Sequence, residues 1–183
     1  DVVLIPEKEA DGFAALDAKG RIQVYDPDGN IKIGWQLHSD NVVEPGVGGE
    51  GYLAYLEKKG VLVAVYGDEA IGFTLTGDEV SRFDIGDGAP NAVVADKKGR
   101  LTMAFGSKLV RYNLDGFRYG EFMDLRDYDK GFEDIDVTFD EAHKMWVVTD
   151  NGLCIKFKRP GKIDFQVQLT EYSLESPRVA VFD

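Results

Sequence analysis

Cysteine is almost missing from this chain of 183 residues, where Cys154 stands alone. A single thiol excludes an internal disulfide and a cysteine-based zinc cluster. Within the apolar run Leu153–Ile155 it is expected to be a small buried core residue. Histidine is nearly as scarce, with His38 and His143 far apart in the chain. No Ser/His/Asp or Cys/His constellation can be assembled, so the chain is not read as an enzyme. No apolar run approaches the roughly 18 residues of a membrane-spanning helix, so direct membrane insertion is not expected. No window shows helical periodicity with caps. Positive charge is short as well: 21 Lys and Arg face 33 Asp and Glu, a net charge of −12. Nucleic-acid binding depends on neutralising phosphates with cations, so no nucleic-acid partner is expected.

The hydrophobic share of 44% is ordinary for a folded globular chain, and the length fits one domain, residues 1–183. Asp1-Val-Val-Leu-Ile5 has neither an initiator Met nor a basic flank, as a processed or trimmed end would look. The alternative is that the 183 residues are a piece of a larger protein. Low cysteine use suits the cytosol and the bacterial periplasm alike. An extracytoplasmic space such as the periplasm is the preferred compartment.

Four times an aromatic residue stands four places before a glycine: Tyr25–Gly29, Phe73–Gly77, Tyr112–Gly116 and Phe157–Gly161. The glycines are about 40–50 residues apart, the period of a stacked supersecondary unit. Each unit contains runs of four to seven residues rich in Val, Ile, Phe and Tyr, bounded by Gly, Asp and Asn. Such runs are strands. In the third unit Asn91–Ala95, Arg100–Phe105, Lys108–Tyr112 and Phe117–Met123 form strands a to d, with Asp115-Gly116 as a hairpin turn. The reading is an all-β propeller of four blades, each of four antiparallel strands. The tail Pro177–Asp183 repeats the start of the third unit, Pro90–Asp96. Two outcomes follow from it. The tail closes the four-bladed ring by pairing with the first blade, which removes exposed strand edges, or it opens a fifth blade of a larger propeller. Closure is the preferred expectation.

Arg21-Ile-Gln-Val-Tyr-Asp-Pro-Asp-Gly29 resembles the third strand and turn of an NHL-type repeat, and Pro90-Asn-Ala-Val-Val-Ala-Asp96 resembles the start of one. YncE-like and WD40-like blades share this geometry. The resemblance implies a propeller used for binding.

In a propeller the b–c turns and d–a crossovers share one face, and the a–b and c–d turns share the other. Sorted this way, acids such as Asp17, Asp68, Asp87, Asp127, Asp129, Glu133, Asp134 and Asp150 fall on the first face. Lys58, Lys59, Lys97 and Lys98 fall on the second. Two long crossovers, His38–Glu50 and Leu125–Phe132, are candidate binding loops. The candidate binding residues are Tyr128, Phe132, Asp127, Asp129, Glu133 and His38, with Tyr128 and Phe132 as aromatic anchors. The function expected is a non-catalytic protein-interaction scaffold, in a bacterial assembly, presenting an acidic face to a basic protein partner. The alternative is a cation-dependent sensor or hydrolase. No cofactor is expected under the first reading. Under the second, calcium or another divalent ion sits among Asp127, Asp129, Glu133 and Asp134, because hard cations take carboxylate oxygens.

Overall fold

Sixteen strands form four separate antiparallel sheets in a computed structural model, which describes residues 1–6, 11–37, 51–128, 131–140, 142–169, 177 and 179. Blade one is β1 (Val2–Ile5), β2 (Gly12–Leu16), β3 (Arg21–Tyr25) and β4 (Ile31–Gln36). Blade two is β5 (Gly51–Leu56), β6 (Val61–Tyr66), β7 (Glu69–Phe73) and β8 (Glu79–Asp84). Blade three is β9 (Ala92–Ala95), β10 (Leu101–Phe105), β11 (Lys108–Tyr112) and β12 (Arg118–Asp124). Blade four is β13 (Ile135–Phe139), β14 (Met145–Thr149), β15 (Leu153–Arg159) and β16 (Lys162–Gln168). Every strand pairs with its sequence neighbour, in the order a-b-c-d. The chain is an all-β propeller of four four-stranded blades. The helical content among the described residues is two single turns of 3-10 helix, Glu57–Lys59 and Leu125–Asp127.

Local chemistry explains the repeated turns. In the first three units the residue after the motif aromatic closes the c–d turn with its side chain. Asn30 N–H donates to Asp26 Oδ1 at 2.8 Å, Asp78 N–H to Thr74 Oγ1 at 3.1 Å and Phe117 N–H to Asn113 Oδ1 at 2.8 Å. Such short side chains bond their own backbone two to four residues on, which is why they mark turns. The motif glycine supplies the left-handed backbone, as at Gly116 with φ 74°. It also lets the preceding blade come close: a Cβ on Gly116 would stand 2.7 Å from Phe83 Cβ in blade two.

The hydrophobic cores lie between blades rather than within them. Leu16, Ile22 and Leu37 of blade one pack with Leu53, Leu62 and Phe73 of blade two. Leu56, Val63 and Ile85 of blade two pack with Leu101, Met103 and Tyr112 of blade three. Leu109, Met123 and Leu125 of blade three pack with Ile135, Met145 and Phe157 of blade four. Each fully buried side chain of this size contributes about 1.5–3 kcal/mol. The motif aromatic is therefore the piece that each blade offers to the one before it. Cys154 is buried on β15, and burial pushes its thiol pKa up, in keeping with the expected role as a small buried residue.

The innermost strands β1, β5, β9 and β13 run side by side in sequence, and among the described residues β13 has no comparable packing against β1. Of the tail expected to close the ring, Pro177 and Val179 are described. The Val179 N–H donates to Asp136 Oδ2 on β13 at 2.7 Å, so this part of the tail lies against blade four.

Candidate functional site

The crossover face carries acids of two kinds. Most described acids there are tied to a cation or a backbone group. Asp17 pairs with Arg21 at 3.1 Å, Glu69 with Arg82 at 2.6 Å, Asp87 with Arg118 at 2.5 Å and Asp124 with Arg126 at 2.5 Å. Asp150 accepts from the N–H groups of Glu133 at 3.1 Å and Asp134 at 3.2 Å. Asp127 and Glu133, in contrast, are exposed, and their carboxylates have no ion-pair partner among the described residues. On the opposite face Lys58, Lys59, Lys97 and Lys98 are exposed on two adjacent a–b turns. The Lys59 stem reaches to 3.4 Å from where a Gly99 Cβ would stand, which joins the two turns into one basic patch.

The loop between blades three and four holds the two untied acids in place. Leu125 is fully buried and Phe132 nearly so, both in the core between these blades. Asp124 caps the 3-10 turn by accepting from Arg126 N–H at 3.0 Å, and the Arg126 guanidinium beside it holds its carboxyl well below the usual range. Tyr128 N–H closes the same turn on Leu125 O at 2.9 Å. The half-buried Tyr128 ring stands edge-on to Phe157, with centroids 5.3 Å apart. Asp150 then clamps the far end of the loop through its two backbone bonds. A segment fixed at both ends thus directs Asp127 and Glu133 to solvent.

This corrects the role expected for Phe132. Its ring is 9% exposed and belongs to the core, because burying a phenyl group is worth more than leaving it on a loop tip. Tyr128 is partly available, with one edge committed to Phe157. Asp134 is half-buried and bonds Ile135 N–H at 2.9 Å. His38 and Asp129 lie outside the described residues. Among the described residues no three His, Cys, Asp or Glu side chains come together to share a metal ion.

Superposing the repeats shows why Asp127 is untied. Leu125 N–H donates to Ser107 O, and Ile85 N–H donates to Asp68 O, at the same place in successive blades. Asp87 and Asp127 each stand two residues further on. Asp87 meets the hydroxyl of Tyr112 at 2.6 Å and the guanidinium of Arg118 at 2.5 Å, and Tyr112 and Arg118 face each other across β11 and β12. The matching pair in blade four is Phe157 and Ile163. Neither can bond a carboxylate. Arg118 holds the Asp87 carboxyl below its ordinary value, with the Tyr112 hydroxyl helping. Burial and then the Asp87 bond push the Tyr112 hydroxyl up to about 12. The signal for this difference was in the sequence, as Tyr against Phe at the motif position and Arg against Ile six residues later.

No family model matches the chain, and no curated protein sequence resembles it significantly. Solved structures resemble it in fold. The β-propeller domain of Cps50 (Swd1) from Myceliophteria thermophila superposes with a TM-score of 0.64 at 11% identity, over 96% of this chain and 56% of that one. A protein of unknown function from Bacteroides caccae superposes with a TM-score of 0.57 at 12% identity, over 87% of this chain and 58% of that one. The chain spans a little over half the length of each. At such identities the likeness establishes the propeller fold.

Proposed function

We propose that the chain is a non-catalytic protein-interaction scaffold whose crossover face takes a basic protein partner. One observation carries the reading: Asp127 keeps its position in the repeat but has exchanged the Tyr and Arg partners of Asp87 for Phe157 and Ile163. A structural acid has become a solvent-directed one on a loop that is fixed at both ends. Glu133 beside it is untied in the same way. Pre-fixed charges cost little ordering on binding, and they steer an oppositely charged partner more than they hold it. The edge of Tyr128 left free by Phe157 supplies apolar contact next to the two carboxylates. The likeness of Arg21–Gly29 and Pro90–Asp96 to NHL-type repeats supports placing the chain among the NHL-type or YncE-like binding propellers.

Affinity capture on the purified chain from a lysate of the source organism, at low and high salt, tests this. Capture of a basic protein should fall with salt, because exposed charges are screened beyond about 8 Å at physiological ionic strength. It should fall again in an Asp127→Asn/Glu133→Gln variant that melts like the parent. A captured partner indifferent to salt and to both substitutions overturns the reading. Capture that is instead lost on replacing Lys58, Lys59, Lys97 and Lys98 moves the site to the opposite face.

A further inference from the structure

The two outer flanks of the array differ from its three internal junctions. At each junction the residue just past strand d is buried against the next blade: Leu37 is 3% exposed, Ile85 2% and Leu125 0%. Their N–H groups mark the position by bonding Gly20 O, Asp68 O and Ser107 O. In blade four the same bond runs from Leu169 N–H to Gly152 O at 2.8 Å, yet Leu169 is 60% exposed. Val167 and Phe165, which alternate with it on the same side of β16, are 38% and 49% exposed. This is the apolar trailing surface of a blade, and among the described residues no blade covers it as one does at the three junctions.

What covers it is indicated at the inner edge. Asp1 of blade one accepts the N–H of Leu53, on the innermost strand of blade two, at 2.8 Å. Asp136 holds the matching place in blade four, one residue before Val137 as Asp1 is one residue before Val2, and it accepts the N–H of Val179 at 2.7 Å. Val179 thus sits where the innermost strand of a following blade begins, and Pro177 before it is buried. β1 does not take that place. The two solved structures that superpose on the chain each have more than two fifths of their own length outside the superposed part.

We propose that the trailing flank of blade four is the seat of a fifth blade of the same polypeptide, into which the chain at Val179 leads. By continuity with the three existing junctions, that blade brings an aromatic residue and a turn glycine against Val167 and Leu169, as Phe73 and Gly77 meet Trp35.

Thiol labelling at Leu169→Cys tests the proposal, in the 183-residue chain and in the polypeptide encoded by the intact gene. Peptide mapping separates the new thiol from the buried Cys154. A maleimide should react readily at residue 169 in the 183-residue chain, and at least about tenfold more slowly in the gene-encoded polypeptide, since reaction there must await local opening. Val167→Cys should follow the same pattern, which guards against a local effect of one variant. Equal rates in the two proteins overturn the proposal, as does a gene that encodes no further strands after Asp183. Protection that appears in the 183-residue chain and grows with its concentration also overturns it and gives the flank to a second copy.

Discussion

The junction between blades two and three and the junction between blades three and four are built on one plan and use their acids differently. In the first, Asp87 binds Tyr112 and Arg118 across the junction, and the carboxylate is part of the framework. In the second, Phe157 and Ile163 occupy the partner positions and the packing is wholly apolar, with Tyr128 edge-on to Phe157. The carboxylate of Asp127 is left to solvent. The difference teaches that an acidic loop face is not one feature. Equal positions in a repeat serve stability in one blade and are free for recognition in the next, and the residues facing them decide which.

The strongest way to sharpen the contrast is to remove what fixes the second loop. Phe132→Ala should cost about 3–5 kcal/mol, the range for truncating a buried phenyl ring. Urea denaturation of the variant checks this, and an unchanged midpoint would return Phe132 to the role of an exposed anchor.

Less is expected from breaking the first junction. Asp87→Asn removes the charge from its bonds to Tyr112 and Arg118, at a carboxylate with 27% of its surface still exposed. Screening keeps the loss to about 1 kcal/mol. Asp127→Asn should leave stability within about 0.5 kcal/mol, so equal losses at the two positions would erase the distinction drawn between them.

Proton linkage separates the partners of Asp87. Its folded pKa lies below the ordinary 3.8, so its contribution is present above that value and is lost as pH falls through the depressed one. Asp87→Asn should flatten this part of the acid-side decline. For Tyr112 the sign is opposite. The hydroxyl is raised from 10.0 to about 12, so its contribution is complete below pH 10 and disappears as pH rises towards 12. Tyr112→Phe should cost about 0.5–1.5 kcal/mol at neutral pH and remove that alkaline step. A phenolate titration at the ordinary value would show that Asp87 and Tyr112 are not coupled.

A small gain in stability, and the most direct trial of function, comes from transplanting one junction into the other. Phe157→Tyr with Ile163→Arg gives Asp127 the partners that Asp87 has. The double variant should gain up to about 1 kcal/mol while capture of a basic partner weakens. Unchanged capture would place recognition elsewhere on the face.

Much of the fold was legible because its signals are local. Asp26, Thr74 and Asn113 close their turns within four residues, and the strands alternate between short, well-marked turns. The four aromatic-to-glycine intervals therefore indicated four blades before any contact was known. The candidate loop was legible as a loop, and Asp127 and Glu133 as its acids. The burial of Phe132 was not, because a ring in a polar crossover carries no period that tells core from surface.

The sequence by itself determined the repeat, the strands and the sign of the charge, since each rests on residues a few places apart. The tertiary structure decided which acids remain free and where the cores lie. Asp87 meets Arg118 across 31 positions of sequence, and Tyr52 donates to the Asn91 carbonyl across 39. Contacts between blades follow from how twisted sheets stack, and only stacking brings Asp87 to a guanidinium and leaves Asp127 without one.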